Sequence, residues 1–314
     1  MRFTPLSTFR QTLFCLPLLT VFTAAPLVSL AGQSTSAPPV YRLNGKPVAS
    51  CESCAEWRVP HAPMRLHGNT WYVGTRDLTA VLITGAAGHI LIDPGMEETV
   101  PQLLANIRQA GFNPRDIKLI LTSHVHFDHA GGAAALAATT GATVAALPWS
   151  ARVLERGPMA ADDPQAGLSF DLTPVPQVRV VQSGEQLTVG PLTVRALATP
   201  GHTPGSTTWS WRSCDGRDCV EVVYADSQTA ISADGFRFTD QPGLAAAVEA
   251  GHRALEALPC RLLITPHPGA SRLWERVAQG SAAGADSLLD VTACARYAQR
   301  ARAAFAARYA REKR

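Results

Sequence analysis

Apolar residues follow two rhythms along this chain. Short apolar runs, bounded mostly by Gly, Pro, Asn or Asp, occupy residues 71–73, 80–84, 89–93 and 118–122 and read as strands. Helical spacing appears at 97–110, where Val100, Leu103, Leu104 and Ile107 share one face. The small, Ala-rich stretch 131–140 suits a helix packed close to a sheet, and strand character resumes at 143–146. Residues 156–176 then break the regularity with Gly157, Pro158, Asp162, Asp163, Pro164, Gly167 and Pro174. A long irregular stretch inside a compact domain is usually functional or mobile. Two hairpins follow, 186–189 with 192–198 around Gly190-Pro191, and 207–211 with 220–224. The pattern closes with a helix at 243–258, a strand at 261–265 and a long Ala/Arg helical tail over 285–312. Both halves therefore show hairpins followed by strand–helix units, without a short-period repeat.

The run Leu119-Ile120-Leu121 delivers the chain to Ser123-His124-Val125-His126-Phe127-Asp128-His129. His124 and His126, two apart at the end of an extended segment, point the same way and can grip one ion. Asp128 and His129 lie further round the turn and more naturally serve a second ion beside the first. Neutral imidazole and carboxylate are preferred zinc donors, and a catalytic site takes three protein ligands and leaves one position for water. A polar loop whose histidines merely cap backbone groups does not account for donors this dense.

Three later strands end in the same kind of residue. Residues 194–198 run into Thr199-Pro200-Gly201-His202, 222–225 into Asp226-Ser227, and 262–265 into Pro266-His267. Ligands in sheet folds gather outside strand ends, so these residues join the first cluster as candidates. His252 falls inside a helical pattern and His89 starts a strand, which makes both structural. His61 and His67 lie in a loop-rich entry. Asp93 ends a strand beside Pro94-Gly95, which suits a turn or a hydrogen bond to a ligand better than direct ligation.

Composition narrows the setting. The chain has 314 residues and is rich in Ala, Gly and Pro, with ample length for a substantial core. Residues 1–31 read as a secretory signal, with Arg2 and Arg10 in the charged region, an apolar stretch over 13–30 and Ser29-Leu30-Ala31 for cleavage. Pro17 and Pro26 argue against a retained membrane anchor. Export to a bacterial periplasm is expected, with a leader over 32–59 and a single domain over 60–314. Without the signal, 26 basic residues stand against 25 acidic ones, a balance with no electrostatic footprint for nucleic acid. Apart from Cys15, six cysteines remain, and an even number in an exported chain suggests disulfides without fixing their pairing. Cys214 and Cys219 flank a turn able to bring two strand ends together. Cys260 and Cys294 each sit near a helical segment and suit a long-range staple. Cys51 and Cys54 form a CxxC open to redox, zinc-binding or closed-ring roles, of which the ring is favoured.

The motif His124-x-His126-x-Asp128-His129, with His202 in Gly-His-Thr-Pro-Gly and His267 beyond it, resembles the metallo-β-lactamase superfamily over residues 60–280. The resemblance implies an α/β fold, an αββα sandwich of two mixed sheets with helices outside and a dinuclear zinc site along one edge. Within the superfamily the chain most resembles the third subclass of true metallo-β-lactamases. There His124, His126 and His202 would hold the first of two Zn2+ ions, and Asp128, His129 and His267 the second. Neighbouring subclasses place a metal-binding cysteine where this chain has Ser227. The stretches 224–227 and 265–269 and the placement of Cys260 and Cys294 add to the likeness, and the resemblance implies that Cys214–Cys219 and Cys260–Cys294 are bridged. The pair Cys51 and Cys54 is less typical.

This likeness implies hydrolytic opening of β-lactams, carbapenems among them, by a metal-bound hydroxide that Asp128 orients. Ser227 and Thr229 would bind the substrate carboxylate, and residues 156–176 would form one wall of the groove. The expected partners are small-molecule β-lactams and the expected state is a monomer. Thioesterases of the glyoxalase II type and lactone hydrolases share the first motif, and in them an Asp placed like Asp226 bridges the metals. Export and Ser227 favour the lactamase, with Asp226 beside the metals rather than on them. Nuclease relatives are disfavoured by the charge balance, and a zinc-binding protein without catalysis by the complete ligand set.

Overall fold

The computed structural model describes residues 42–43, 46–47, 51, 53–283 and 288–314, so the expected signal segment lies outside the described residues. In chain order the strands are β1 (Arg42–Leu43), β2 (Lys46–Pro47), β3 (Met64–His67), β4 (Thr70–Tyr72), β5 (Val81–Ile83), β6 (His89–Ile92), β7 (Ile117–Leu121), β8 (Thr143–Ala146) and β9 (Val178–Val180). They continue with β10 (Gln186–Val189), β11 (Leu192–Ala198), β12 (Thr207–Asp215), β13 (Asp218–Tyr224) and β14 (Leu262–Ile264). The α-helices are α1 (Cys54–Trp57), α2 (Val100–Gln109), α3 (Phe127–Ala130), α4 (Ala133–Thr140), α5 (Pro148–Arg156), α6 (Pro242–Glu256), α7 (Leu273–Ala283) and α8 (Ala293–Glu312).

Apart from the small β1–β2 hairpin, the strands form two mixed sheets. One runs β3-β4-β5-β6-β7-β8-β9, antiparallel up to β6 and parallel from β6 to β9. The other runs β10-β11-β12-β13-β14, antiparallel except for the last pair. The continuous apolar runs of β6 and β7 arise because both faces of their sheet are covered. Ile90, Ile92, Leu119 and Leu121 face the second sheet and pack with Trp209, Val222, Tyr224 and Ile264. Their neighbours Leu91 and Ile120 point the other way, into a layer with Leu103 and Ile107 of α2, Leu136 of α4 and Leu154 of α5. On the outer face of the second sheet, Val223 and Leu263 meet Leu255 of α6 and Tyr297 of α8. The result is the expected αββα sandwich.

Several elements depart from the sequence pattern. The edge strands β3 and β9 carry little periodic signal, since only Leu66 of β3 and Val178 of β9 are buried. Helix α5, opened by Pro148, and helix α7 were not legible as separate helices. The tail expected as one helix over 285–312 begins only at Ala293. Asp290 accepts the N–H and hydroxyl of Thr292 at 2.9 and 2.7 Å, a local turn that delays the helix start. Residues 285–287 lie outside the described residues. Among the described residues no helix is long and apolar enough to cross a membrane.

Topology gathers the strand ends. Because β11 and β13 are both antiparallel to β12, and β14 is parallel to β13, their carboxyl ends share one edge of the second sheet. The backbone N–H of Thr207 donates to Ser123 O at 2.7 Å and Trp209 Nε1 donates to Thr122 O at 3.0 Å, which joins the end of β7 to that edge.

Candidate metal centre and groove

His124 follows β7 directly, and His126 precedes the single turn α3 that carries Asp128 and His129. His202 is set by the turn 201–205 after β11. That turn closes tightly on α5, for a Cβ at Gly205 would stand 2.2 Å from Ser150 Oγ, so only glycine fits. His267 follows β14. The fold brings all six of these side chains together, although His129 and His267 are 138 residues apart. All but His267 are buried.

The donors fall into two sets. Ring nitrogens of His124, His126 and His202 lie within 4.8 Å of one another, and their ring centroids are 4.6–4.9 Å apart. In the second set His129 Nε2 stands 3.0 Å from Asp128 Oδ2 and 3.2 Å from His267 Nε2, and His267 Nε2 stands 3.3 Å from Asp128 Oδ2. Donors on a tetrahedral zinc stand about 3.3–3.6 Å apart at ordinary bond lengths. The second set comes near that spacing, the first gathers three rings within 4.8 Å, and buried His124 Nε2 has no hydrogen-bond partner, as a ligand atom facing an ion would not.

Second contacts fix the rings. Asp226 Oδ1 accepts from His124 Nδ1 at 2.8 Å, which leaves Nε2 as the free donor atom. Thr229 presents its carbonyl at 3.1 Å and its hydroxyl at 2.9 Å to His202 Nδ1, which turns Nε2 toward the site. His267 Nδ1 lies 3.2 Å from the carbonyl of Asp77. Asp93, fully buried with φ 55°, accepts from Ser123 N at 2.6 Å, Ser123 Oγ at 2.7 Å and Tyr224 Oη at 2.7 Å. Asp93 thus braces the segment before His124 rather than hydrogen-bonding a donor ring, its Oδ2 standing 3.5 Å from His129 Nδ1.

Burial pushes His124 and His202 well below the usual imidazole range, and the neighbouring histidines push the same way, so both rings are neutral and able to ligate. Burial by itself would raise the Asp128 carboxyl. The charge of His129 and hydrogen bonds from His129 and His267 outweigh it and hold Asp128 well below the carboxylate range. Asp226 is raised by its burial.

The site opens into a groove of about 410 Å³ lined by Trp57, Phe127, Leu168, Phe170 and Ile231 above His126, Asp128, His202 and His267. Cavities of 550 and 580 Å³ elsewhere contain none of the six donors. Trp57 stands 5.5 Å from the His267 ring and 5.8 Å from Phe127, and Cys51, bonded to Cys54, also lines this groove. The structure also joins Cys214 to Cys219 and Cys260 to Cys294.

Ser227 is buried and Thr229 is exposed, and neither is among the side chains lining the groove. His61 stacks on Trp274 at 4.2 Å, and His67 Nε2 lies 3.3 Å from Asp218 O; neither reaches the donors. Sequence reasoning missed Trp57 and the polar residues of the irregular loop. Asp163 Oδ1 stands 3.2 Å from His126 Nε2, and Gln165 Nε2 stands 3.2 Å from His202 Nε2. The only available signal was the density of loop-forming residues around them.

A two-sheet sandwich with two histidine-rich donor sets at one edge defines a metal-dependent hydrolase fold, and a family model described as the metallo-beta-lactamase superfamily matches residues 73–276. The chain belongs to that superfamily. It is similar to a solved structure titled Rm3 metallo-beta-lactamase, at 45% identity and TM-score 0.82, over 84% of this chain and 100% of that one. It is also similar to MEM-A1, a subclass B3 metallo-beta-lactamase from a soil metagenome library, at 42% identity and TM-score 0.79, over 82% and 98% of the two chains. Among curated proteins it is 30% identical over 133 residues to a hydroxyacylglutathione hydrolase of Idiomarina loihiensis, over 42% of this chain and 38% of that protein. The chain thus spans about two fifths to one half of the length of the curated relatives it matches.

Proposed function

We propose that this enzyme is an exported β-lactamase that uses two zinc ions to hydrolyse β-lactams, carbapenems included. The observation that carries the proposal is the pair of adjoining donor sets whose His126, Asp128, His202 and His267 open on one groove, within a chain similar along most of its length to metallo-β-lactamases. His124, His126 and His202 would hold one zinc, and Asp128, His129 and His267 the other. A zinc ion held by these residues would supply Lewis acidity toward the lactam carbonyl and a source of hydroxide near neutral pH. Asp128 would orient the attacking water by accepting its hydrogen bond. Trp57, Phe127 and Phe170 cover the apolar parts of the substrate. Ser227 and Thr229, expected to receive its carboxylate, stand outside the groove lining, where the Thr229 hydroxyl holds His202 Nδ1 instead. No side-chain nucleophile takes part, so inhibitors that trap a serine are without effect. The protein acts as a monomer in the periplasm, without a membrane anchor and without a nucleic-acid partner.

A thioesterase reading is favoured by the likeness to a hydroxyacylglutathione hydrolase. Against it, Asp226 turns one carboxylate oxygen to His124 Nδ1. The test is a panel of a penicillin, a cephalosporin, a carbapenem, a glutathione thioester and an acyl lactone, with and without a chelator. Chelator-sensitive opening of β-lactams supports the proposal. Brisk thioester or lactone cleavage with every β-lactam intact overturns it.

A further inference from the structure

His126 is held the opposite way round from its two partners. In His124 the nitrogen engaged by the protein is Nδ1, leaving Nε2 to the site, and in His202 Thr229 holds Nδ1 while Nε2 faces the site, 3.2 Å from Gln165 Nε2. In His126 it is Nε2, which lies 3.2 Å from Asp163 Oδ1. A carboxylate only accepts, so Nε2 carries the proton and Nδ1 is left as the donor atom. The contact is wholly internal, with His126 at 4% exposure and Asp163 at 0%.

Asp163 belongs to the irregular stretch between α5 and β9 rather than to a sheet. Its Oδ1 also accepts the backbone N–H of Gln165 at 2.7 Å, while its Oδ2 is buried with no hydrogen-bond partner. The side chain of Gln165 reaches His202. Pro164 O accepts from Ala233 N at 2.8 Å, tying this loop to the segment that supplies Asp226 and Thr229. The same loop contributes Leu168 and Phe170 to the groove wall. A buried carboxylate with one empty oxygen is costly unless positive charge stands nearby. An imidazole that coordinates a cation through Nδ1 becomes a stronger donor at Nε2, which strengthens its hydrogen bond to Asp163.

We propose that Asp163 is a positioning residue that sets the tautomer of His126 and, through it, couples order in the groove-wall loop to metal occupancy. The proposal rests on the metal-binding reading given above. Metal on His126 tightens the Nε2–Asp163 contact, and Asp163 in turn holds the Gln165 N–H and the loop that presents Leu168 and Phe170.

The test compares the full chain with D163A, D163N and H126A, using zinc affinity from chelator competition, the visible spectrum of the cobalt-substituted protein, and hydrogen exchange of the 160–170 amides with and without zinc. D163A is expected to weaken the tighter zinc step about 10–100-fold and to shift the cobalt bands. D163N keeps an oxygen acceptor and is expected to recover most of that affinity. Zinc is expected to slow exchange at the Gln165 amide in the native chain and not in D163A. The coupling is overturned if D163A binds zinc as tightly as the native chain with unchanged cobalt bands. It is equally overturned if D163A lowers only the melting temperature of the zinc-free protein. A failure of the underlying metal reading would look different, for H126A would then keep native zinc affinity.

Discussion

Asp93 holds Ser123 twice, accepting its backbone N–H at 2.6 Å and its hydroxyl at 2.7 Å from a position 30 residues earlier in the chain. Ser123 is the residue before His124, so this clamp fixes where the metal-binding segment leaves β7. Asp93 sits in the left-handed backbone region, which costs a non-glycine residue of order 1–3 kcal/mol and marks a place where geometry is enforced. Replacing Asp93 with Ala should weaken zinc binding about 10–100-fold. Y224F removes one of the three hydrogen bonds on Asp93 and should cost far less. Zinc content after dialysis and chelator competition measure both, and equal effects of the two variants would show that the clamp does not act through Asp93.

Asp128 and Ser227 should separate sharply. Asp128 touches both His129 and His267 and lies on the groove, whereas Ser227 is buried beside Asp226 and outside the groove lining. D128A should therefore lose a zinc and depress kcat by at least about 100-fold, the usual scale for a positioned acid–base group. S227A, away from the groove lining, should leave zinc content and KM close to native. Metal counting and steady-state kinetics on the same preparations decide between these roles.

His252, on α6, gives a pH signature away from the metals. Burial, helped by the charge of Arg302, pushes its imidazole down to about 4. An unfolded histidine titrates near about 6.5, so between these values the unfolded chain binds a proton that the native chain does not. Native stability from this residue is fully present above about pH 6.5 and falls as pH drops toward 4, by of the order of 3 kcal/mol. Chemical denaturation of chelator-treated protein across that range should show the loss in the native chain and a flatter profile in H252L. Parallel profiles would exclude His252 as the source.

The bridge Cys260–Cys294 ties the start of β14 to the first turn of α8, closing a separation of 34 residues. Removing it as C260A/C294A should cost about 2–5 kcal/mol. Because β14 leads to His267, metal binding at the Asp128, His129 and His267 set should weaken first as this edge loosens. Removing Cys51–Cys54 should behave differently, raising KM through the Trp57 wall while zinc affinity is kept. Melting curves and zinc titrations of the two double variants distinguish an edge staple from a groove staple.

Much of the fold and most of the donor set were legible in the sequence because they are encoded locally. The two-sided burial of β6 and β7 makes unbroken apolar runs, the hairpin β10–β11 declares itself through Gly190-Pro191, and each donor follows a strand that ends in a short turn. Contacts between distant segments were not legible, since no local pattern records a partner. Asp163 meets His126 across 37 residues, Asp226 meets His124 across 102, and Tyr224 meets Asp93 across 131. The first two pairings bear on which ring nitrogen faces the site and the third braces Asp93, and they come about through the packing of the two sheets and of the loop between α5 and β9. The edge strands β3 and β9 were hidden for a related reason: with one neighbour and one buried side chain each, they are held by pairing rather than by pattern. Sequence by itself determined the chemistry of the donors, and the tertiary structure decided their orientation, because a tautomer depends on what its far nitrogen touches.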